Sequence, residues 1–492
     1  MKRKRVNSMI PVFLALLMVL LPACNRKTPT EETPATSEEL TDQNNPMNLV
    51  PKENYNYEKF IVVSPIRSWT NSAMTAESLN GEAINDAIFS RTAKVSERLK
   101  INIVDRIVTN VPMAVRTAIQ GGAHEFDLLQ LWPSEALTMY QEGLCADQTK
   151  ITTMNLNNDW WEHGFNEEVN VGAAKYITFS QASLILYSGL YIYAFNKSLI
   201  DSNQLENPYD LVENKTWTWD KAYSMMREAT TDKSGNGTSP ANGDTIGLVG
   251  HINHCQGVML SSGQMLGSRN EDGVLSYSGV SEGYRNAFEK YVNYFVASPY
   301  VALAGTSNPA DFSGYNPTTG YADYLSFFNE GRALFLTTGT SEVSTLRKGN
   351  VEYGIVVVPK YDDNQTGYIT PVYRNVDGFA VPNFEPAKGY DTDYFKRVGI
   401  VLDTLGAASY NFLINEHIEN VLYYKVAKDP VAKEMIMQAY SNPTIDVMLS
   451  NNFGTCADTI QGLISKRNPS TTALDSIKLM INKALQKAQA GI

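Results

Sequence analysis

The chain has 492 residues, of which 52 are acidic and 41 basic, for a formal charge of −11. That acidic balance argues against nucleic acid as a partner, and the length suits two or more domains. Cys24, Cys145, Cys255 and Cys456 stand far apart without any C-x-x-C, so neither a disulfide framework nor a zinc ribbon is indicated, and the last three read as buried free thiols.

Lys2, Arg3, Lys4 and Arg5 lead into an apolar run from Pro11 to Leu21 that ends in Leu21-Pro22-Ala23-Cys24. A basic segment, a short apolar segment and a small residue before the cut are what export machinery reads, and the run is too short to span a bilayer. Leu-x-Ala-Cys resembles the bacterial lipobox. Residues 1–23 are then expected to be a lipoprotein signal peptide and Cys24 the lipid-accepting residue; the alternative is an ordinary signal peptide. Loss of the leader takes the formal charge from −11 to −15. Residues 24–54 are rich in Thr, Glu, Pro, Ser, Asn and Gln, cannot bury enough to fold, and read as a disordered tether. No second run reaches membrane-spanning length.

From about Tyr55 the pattern is globular. Phe60 to Ser64 is a short apolar run closed by Pro65, and Asn85 to Leu99 carries apolar residues at helical spacing. Ile101 to Val108 alternates like a strand, Pro112 to Gln120 is helical and stops at Gly121-Gly122, and Phe126 to Leu131 is a buried strand closed by Trp132-Pro133. This β/α alternation predicts a parallel or mixed sheet with helices on its faces. Leu184 to Phe195 reads as a strand and Thr218 to Thr230 as a helix. A Gly/Asn/Ser/Pro-rich loop follows from Asp232 to Asp244. Tyr284 to Phe295 is helical, Ala333 to Thr337 and Tyr353 to Val358 are strand-like, and Phe395 to Leu413 and Val431 to Met448 are helical. There is no internal repeat.

Six segments stand in an order with a familial likeness: Phe126-Asp127-Leu-Leu-Gln-Leu-Trp132 with Tyr140-Gln-Glu-Gly143-Leu; Tyr193-Ala-Phe195-Asn196-Lys197; Thr216-Trp217-Thr218-Trp219-Asp220; Phe328-Asn329-Glu330-Gly331-Arg332-Ala333; and Tyr353-Gly354-Ile355-Val356-Val357-Val358-Pro359-Lys360. From about Tyr57 to the C-terminus the chain thus resembles family 1 of the extracellular solute-binding proteins, the sugar-binding lipoproteins of ABC importers. The resemblance implies an α/β, periplasmic-binding-protein-like fold of two α/β lobes joined by crossing hinge strands, with ligand held in the cleft between them. On that template residues 55–187 plus part of 378–492 form lobe one. Residues 196–369 plus part of the C-terminal helices form lobe two, and residues 186–195 and 371–381 are the crossings.

Sugar recognition needs flat apolar faces against the C–H surface of a ring and planar polar groups for its hydroxyls. Arg67 and Trp69 follow the first strand, in loop positions that the resemblance sends to the cleft. Trp132, Ser134 and Glu135 follow the third. For Trp132 a core plug before Pro133 is the competing reading, and for Glu135 an acid stabilised at a helix N-terminus. Tyr187, Ser188 and Tyr191 fall in the first crossing, and Tyr373, Arg374, Asn375 and Asp377 in the second; buried packing is the alternative for each. Gly339, Thr340 and Ser341 follow a strand and precede a helix, offering amides and hydroxyls to a polar ligand group. The maltose-binding member of the family has an aromatic residue after that glycine, and Thr340 departs from it, which puts a maltose-like stacking mode in doubt. His251 and Asn253 lie in another loop that the family turns to the cleft. With His254 and Cys255 they lack zinc spacing and a fourth ligand, so no metal is expected. Trp217, Trp219, Trp160 and Trp161 read as packing. Asp232-x-Ser234-x-Asn236-Gly237 resembles a calcium loop, but Gly243 stands where an EF-hand requires Glu.

The expected function is a monomeric, lipid-anchored extracytoplasmic receptor without cofactor or catalysis, which captures a carbohydrate and presents it to ABC importer permease subunits. The alternatives are a receptor for a peptide or polyamine and a surface glycoside hydrolase, which needs two carboxylates across the scissile bond. With 52 acidic residues the sequence leaves that pair open, while it contains no H-E-x-x-H and no P-loop.

Overall fold

The computed structural model describes residues 45–490 apart from 68, 71, 234, 236–243, 271–272, 306–321, 347–348, 385–387 and 423–428. The leader, Cys24 and most of the calcium-like loop lie outside the described residues. Part of the tether expected over 24–54 is packed against the fold. Pro46–Leu49 is a 3-10 turn, Val50 is buried in the first core, and Arg98 donates to the carbonyl of Pro51. Val50 supplies the apolar side chain that the polar composition around it conceals.

Apolar alternation makes β1 (Glu58–Pro65) and β2 (Ile101–Val108), joined by α1 (Ala83–Leu99), which ends with Lys100 in the left-handed region. Next come α2 (Val111–Gln120), whose Met113 N–H is capped by the Asn110 side chain, then β3 (Leu128–Leu131) and α3 (Pro133–Gln141). β1 lies between β2 and β3, parallel to both. Phe60, Val62, Val95, Leu128 and Val401 pack on one face of this sheet. In that core the Trp160 and Trp161 indoles both donate to the Asp403 carboxylate, at 2.7 and 3.1 Å.

The stretch predicted as a strand from Leu184 to Phe195 divides in two. Ile185–Ser188 is a helical turn, α4, whose last carbonyls are met by the Gly189 N–H, and β4 follows at Tyr191–Asn196. Further along stand α5 (Trp219–Ala229), β5 (Ile246–His251), α6 (Ile252–Leu260), α7 (Glu282–Phe295), β6 (Val301–Ala304), α8 (Ala322–Asn329), β7 (Ala333–Gly339) and β8 (Tyr353–Val356). The second sheet has the order β8-β4-β7-β5-β6, with β5 parallel to β6 and β7, and β4 antiparallel to its neighbours. Trp217 and Trp219 are fully buried beneath it, their indoles donating to the carbonyls of Val357 and Pro359.

The chain returns to the first sheet through β9 (Gly378–Ala380), antiparallel to β3. α9 (Asp393–Ser409) then closes over the first core. The helix predicted from Val431 to Met448 is broken. α10 (Pro430–Ser441) stops before Pro443, which cannot continue it, and Pro443–Thr444 pairs with Thr370–Pro371.

Candidate functional site

One wall of the candidate cleft is built where β1 and β3 end. Beyond β1, the Ile66 N–H donates to Val108 and carries the chain past β2, so that Arg67 turns toward β3. Its Nε and Nη2 donate to the two Asp377 oxygens at 2.8 and 2.5 Å, and its guanidinium lies 4.2 Å from the centre of the Trp132 ring. Trp132 is the N-cap residue of α3, and Glu135 accepts its N–H at 3.0 Å. Glu135 also stands 3.9 Å from Arg67 Nη2. Burial raises the carboxyls of both Asp377 and Glu135 above the usual range, more than Arg67 draws either down. Trp69 meets Tyr373 edge to face, ring centres 5.4 Å apart.

The opposite wall rises from the second sheet, where the register sets Tyr191 opposite Gly339. Tyr191 lies directly over α6: a Cβ on Gly257 would stand 2.1 Å from its ring, so glycine is what lets the helix approach. After β7 the chain turns through Thr340–Glu342, with the Thr340 hydroxyl donating to the Tyr187 carbonyl. Glu342 accepts from Tyr324 and Thr338 hydroxyls, each at 2.7 Å, and lies 3.6 Å from His254 Nε2. His251 caps α6 by accepting the Asn253 N–H, and burial, with His254 beside it, holds its pKa down to about 4.

Between the walls is a cleft of about 610 Å3, within the range that ordinarily holds small ligands. It is lined by Arg67, Trp69, Trp132, Ser188, Tyr191, Asn253, Gly339, Ser341 and Tyr373 among the residues expected from sequence. The other expected residues stand elsewhere. Asp377 is buried behind Arg67, and Glu135 closes the helix start, the competing reading for that residue. Ser134 and Asn375 are half-buried outside the lining. Tyr187 is buried, with its hydroxyl on Glu162, and Thr340 is buried on Tyr187. His251 is a buried helix cap, and Arg374 reaches Gln461. The lining also includes His254, weighed above only as a metal ligand, and Ile66, Gly189, Leu325, Glu342 and Thr345, which the sequence did not single out. The one signal for Glu342 was its place just after Gly339-Thr340-Ser341.

The spacing Gly279-Val280-Ser281-Glu282-Gly283 satisfies G-x-S-x-G, a match absent from the expectations above. Ser281 is the N-cap of α7, accepting the Tyr284 N–H, and has no histidine partner among the described residues. Nor, among the described residues, do three His, Cys, Asp or Glu side chains stand close enough together to hold a metal ion.

No family model and no curated protein sequence matches the chain. Solved structures do. An ABC substrate-binding protein from Listeria monocytogenes in complex with cycloalternan aligns over 87% of this chain and 99% of its own, with a TM-score of 0.53 and 16% identity. This chain has the fold of ABC substrate-binding proteins. A solute-binding protein from Agrobacterium vitis with bound D-mannitol aligns over 88% of this chain and 99% of its own, with a TM-score of 0.49 and 13% identity. One from Thermotoga lettingae bound with alpha-D-tagatose covers the same shares at 0.49 and 14%. The likeness to the Listeria protein covers most of this chain, and the fold it shows is a two-lobed α/β fold.

Proposed function

We propose that the protein is an extracytoplasmic receptor that captures a sugar or oligosaccharide in the cleft and delivers it to an ABC importer. The observation that carries this reading is the cleft lining. Four aromatic side chains, Trp69, Trp132, Tyr191 and Tyr373, share one cavity with Arg67, Ser188, Asn253, Ser341 and Glu342. Flat apolar faces set among a few aimed polar groups are what a polyhydroxylated ring needs. The bound carbohydrates of the structural neighbours agree with it.

In this reading residues 55–187 with part of 378–492 form lobe one, and 196–369 with part of the C-terminal helices form lobe two. The lobes close about the crossings at 186–195 and 371–381. Closure signals occupancy only if ligand binds the closed form more tightly than the open one. Cys24 carries the lipid anchor, residues 24–44 supply the tether, and the receptor acts as a monomer on the outer face of the membrane.

The test is a thermal-shift screen of the purified protein against mono- and oligosaccharides. A ligand at 100 times its Kd adds about 2.7 kcal/mol to the folded state, well within detection. A reproducible shift with one sugar class, lost in Trp132→Ala, is the expected result. Shifts confined to peptides or polyamines would replace the sugar with another solute, and release of reducing ends from polysaccharide would replace the receptor with a hydrolase.

A further inference from the structure

Charge in the cleft is one-sided. Among the described lining residues Arg67 is the sole lysine or arginine. Two of its nitrogens are bound to Asp377, whose side chain has no exposure, so this pair is neutral as a unit. Glu135, 3.9 Å from the same guanidinium, leaves that wall with a negative balance.

The other wall carries Glu342, whose side chain is 18% exposed. Its two oxygens accept hydroxyls from Tyr324 and Thr338, donors that fill lone pairs without cancelling charge. A carboxylate has about four lone-pair sites, so each oxygen keeps capacity for a ligand hydroxyl. Among the described residues the only group that could pair with it as a cation is His254, which is charged only when protonated. Such a wall accepts donors and repels a second carboxylate, and the repulsion is strong where water is partly excluded.

We propose that Glu342 sets the ligand class of the cleft: an uncharged saccharide whose hydroxyls donate to this carboxylate, with uronic acids and other acidic sugars rejected. This rests on the sugar-receptor reading above and deepens it. Glu342 acts by touching the ligand, with Tyr324 and Thr338 fixing the direction of its oxygens.

The experiment is titration calorimetry of the purified protein with a panel of neutral hexoses, pentoses and their short oligomers, each matched to the uronic acid of the same sugar. Wild-type protein is expected to bind a neutral member at least about tenfold more tightly than its uronate, equivalent to 1.4 kcal/mol or more. Glu342→Gln should bring that ratio below about threefold. A salt series on wild type gives a second reading that needs no variant, because raising ionic strength weakens repulsion and should narrow the same gap. A uronate that binds as well as its neutral partner, or a gap unmoved by both the substitution and salt, overturns the role of Glu342 and leaves the receptor reading standing. Binding of no sugar, neutral or acidic, overturns the receptor reading and this inference with it.

Discussion

Substitution of Asp377 by alanine is the sharpest test of how the first wall is held. The Asp377 side chain has no exposure and its partner Arg67 has 12%, with contacts of 2.8 and 2.5 Å. Removing one partner of a buried pair costs about 3–5 kcal/mol because a desolvated charge is left behind. Arg67 keeps a thin edge of solvent and has Glu135 at 3.9 Å, which places Asp377→Ala at the low end, about 3 kcal/mol. The double variant Arg67→Met, Asp377→Leu removes both charges, and should recover to within about 1 kcal/mol of wild type. That recovery also follows from the carboxyl itself. Burial raises its pKa more than Arg67 lowers it, so the folded protein ionises this group reluctantly. Urea denaturation of the three proteins reads the differences. A single variant that loses less than about 1 kcal/mol, or a double variant no better than the single one, would falsify the view that an unpaired Arg67 is the source of the loss. Both variants should lose sugar binding, since Arg67 lies over Trp132 and lines the cleft.

Three further outcomes follow. Gly257→Ala should cost about 1–3 kcal/mol and weaken sugar binding, because the added methyl meets the Tyr191 ring; unchanged melting and affinity would show that the ring moves freely. The Glu162 carboxyl is raised by burial, against the pull of the Tyr187 hydroxyl. The folded protein therefore holds that proton longer than the unfolded chain, so this contribution is whole below the ordinary glutamate value and falls as pH rises through the raised one. Glu162→Gln should flatten the decline in urea midpoint as pH rises above the ordinary glutamate value of about 4, and parallel profiles would refute it. Burial pushes the Cys145 thiol up to about 12 and raises Cys456 as well. In a Cys24→Ser, Cys255→Ser protein, a thiol reagent at about pH 8 should titrate neither until denaturant is added, and prompt labelling would contradict their burial.

In the first sheet α1 and the start of β2 were legible from their period, whereas β3, buried along its whole length, was legible from its apolar run and the Trp132-Pro133 that closes it. Ile101–Val108 alternates as predicted, and α1 buries Ile88, Val95 and Leu99 along one stripe. The stretch around Leu184 defeated periodicity because both its helical turn and β4 are buried on all sides, which erases the alternation that separates the two. At the candidate cleft, strand ends followed by Trp and Arg pointed to loops that line the cavity. Which side chain lines the cleft and which braces it was not readable. Asp377 and Arg67 are 310 positions apart, and only the return of the chain through β9 makes one the support of the other. Glu342 went unseen for a simpler reason: one carboxylate among 52 acidic residues has no local mark, and its Tyr324 and His254 neighbours come from other elements.

The two passages between the sheets lie side by side. Leu190 and Val372 form an antiparallel bridge, and the Tyr373 N–H donates to the Gly189 carbonyl at 2.8 Å. Strands stitched in this way twist as one ribbon, so in the proposed receptor a rotation between the lobes would pivot there, with displacement growing with distance from it. On that reading Ser188 and Tyr373 would travel little, whereas Trp132 and Glu342 would be carried on the lever arms. In such a rotation groups near the pivot would grip ligand about equally in both positions and set affinity alone. Groups on the arms would complete their grip only as the angle shrinks, and they would be the ones that turn binding into movement.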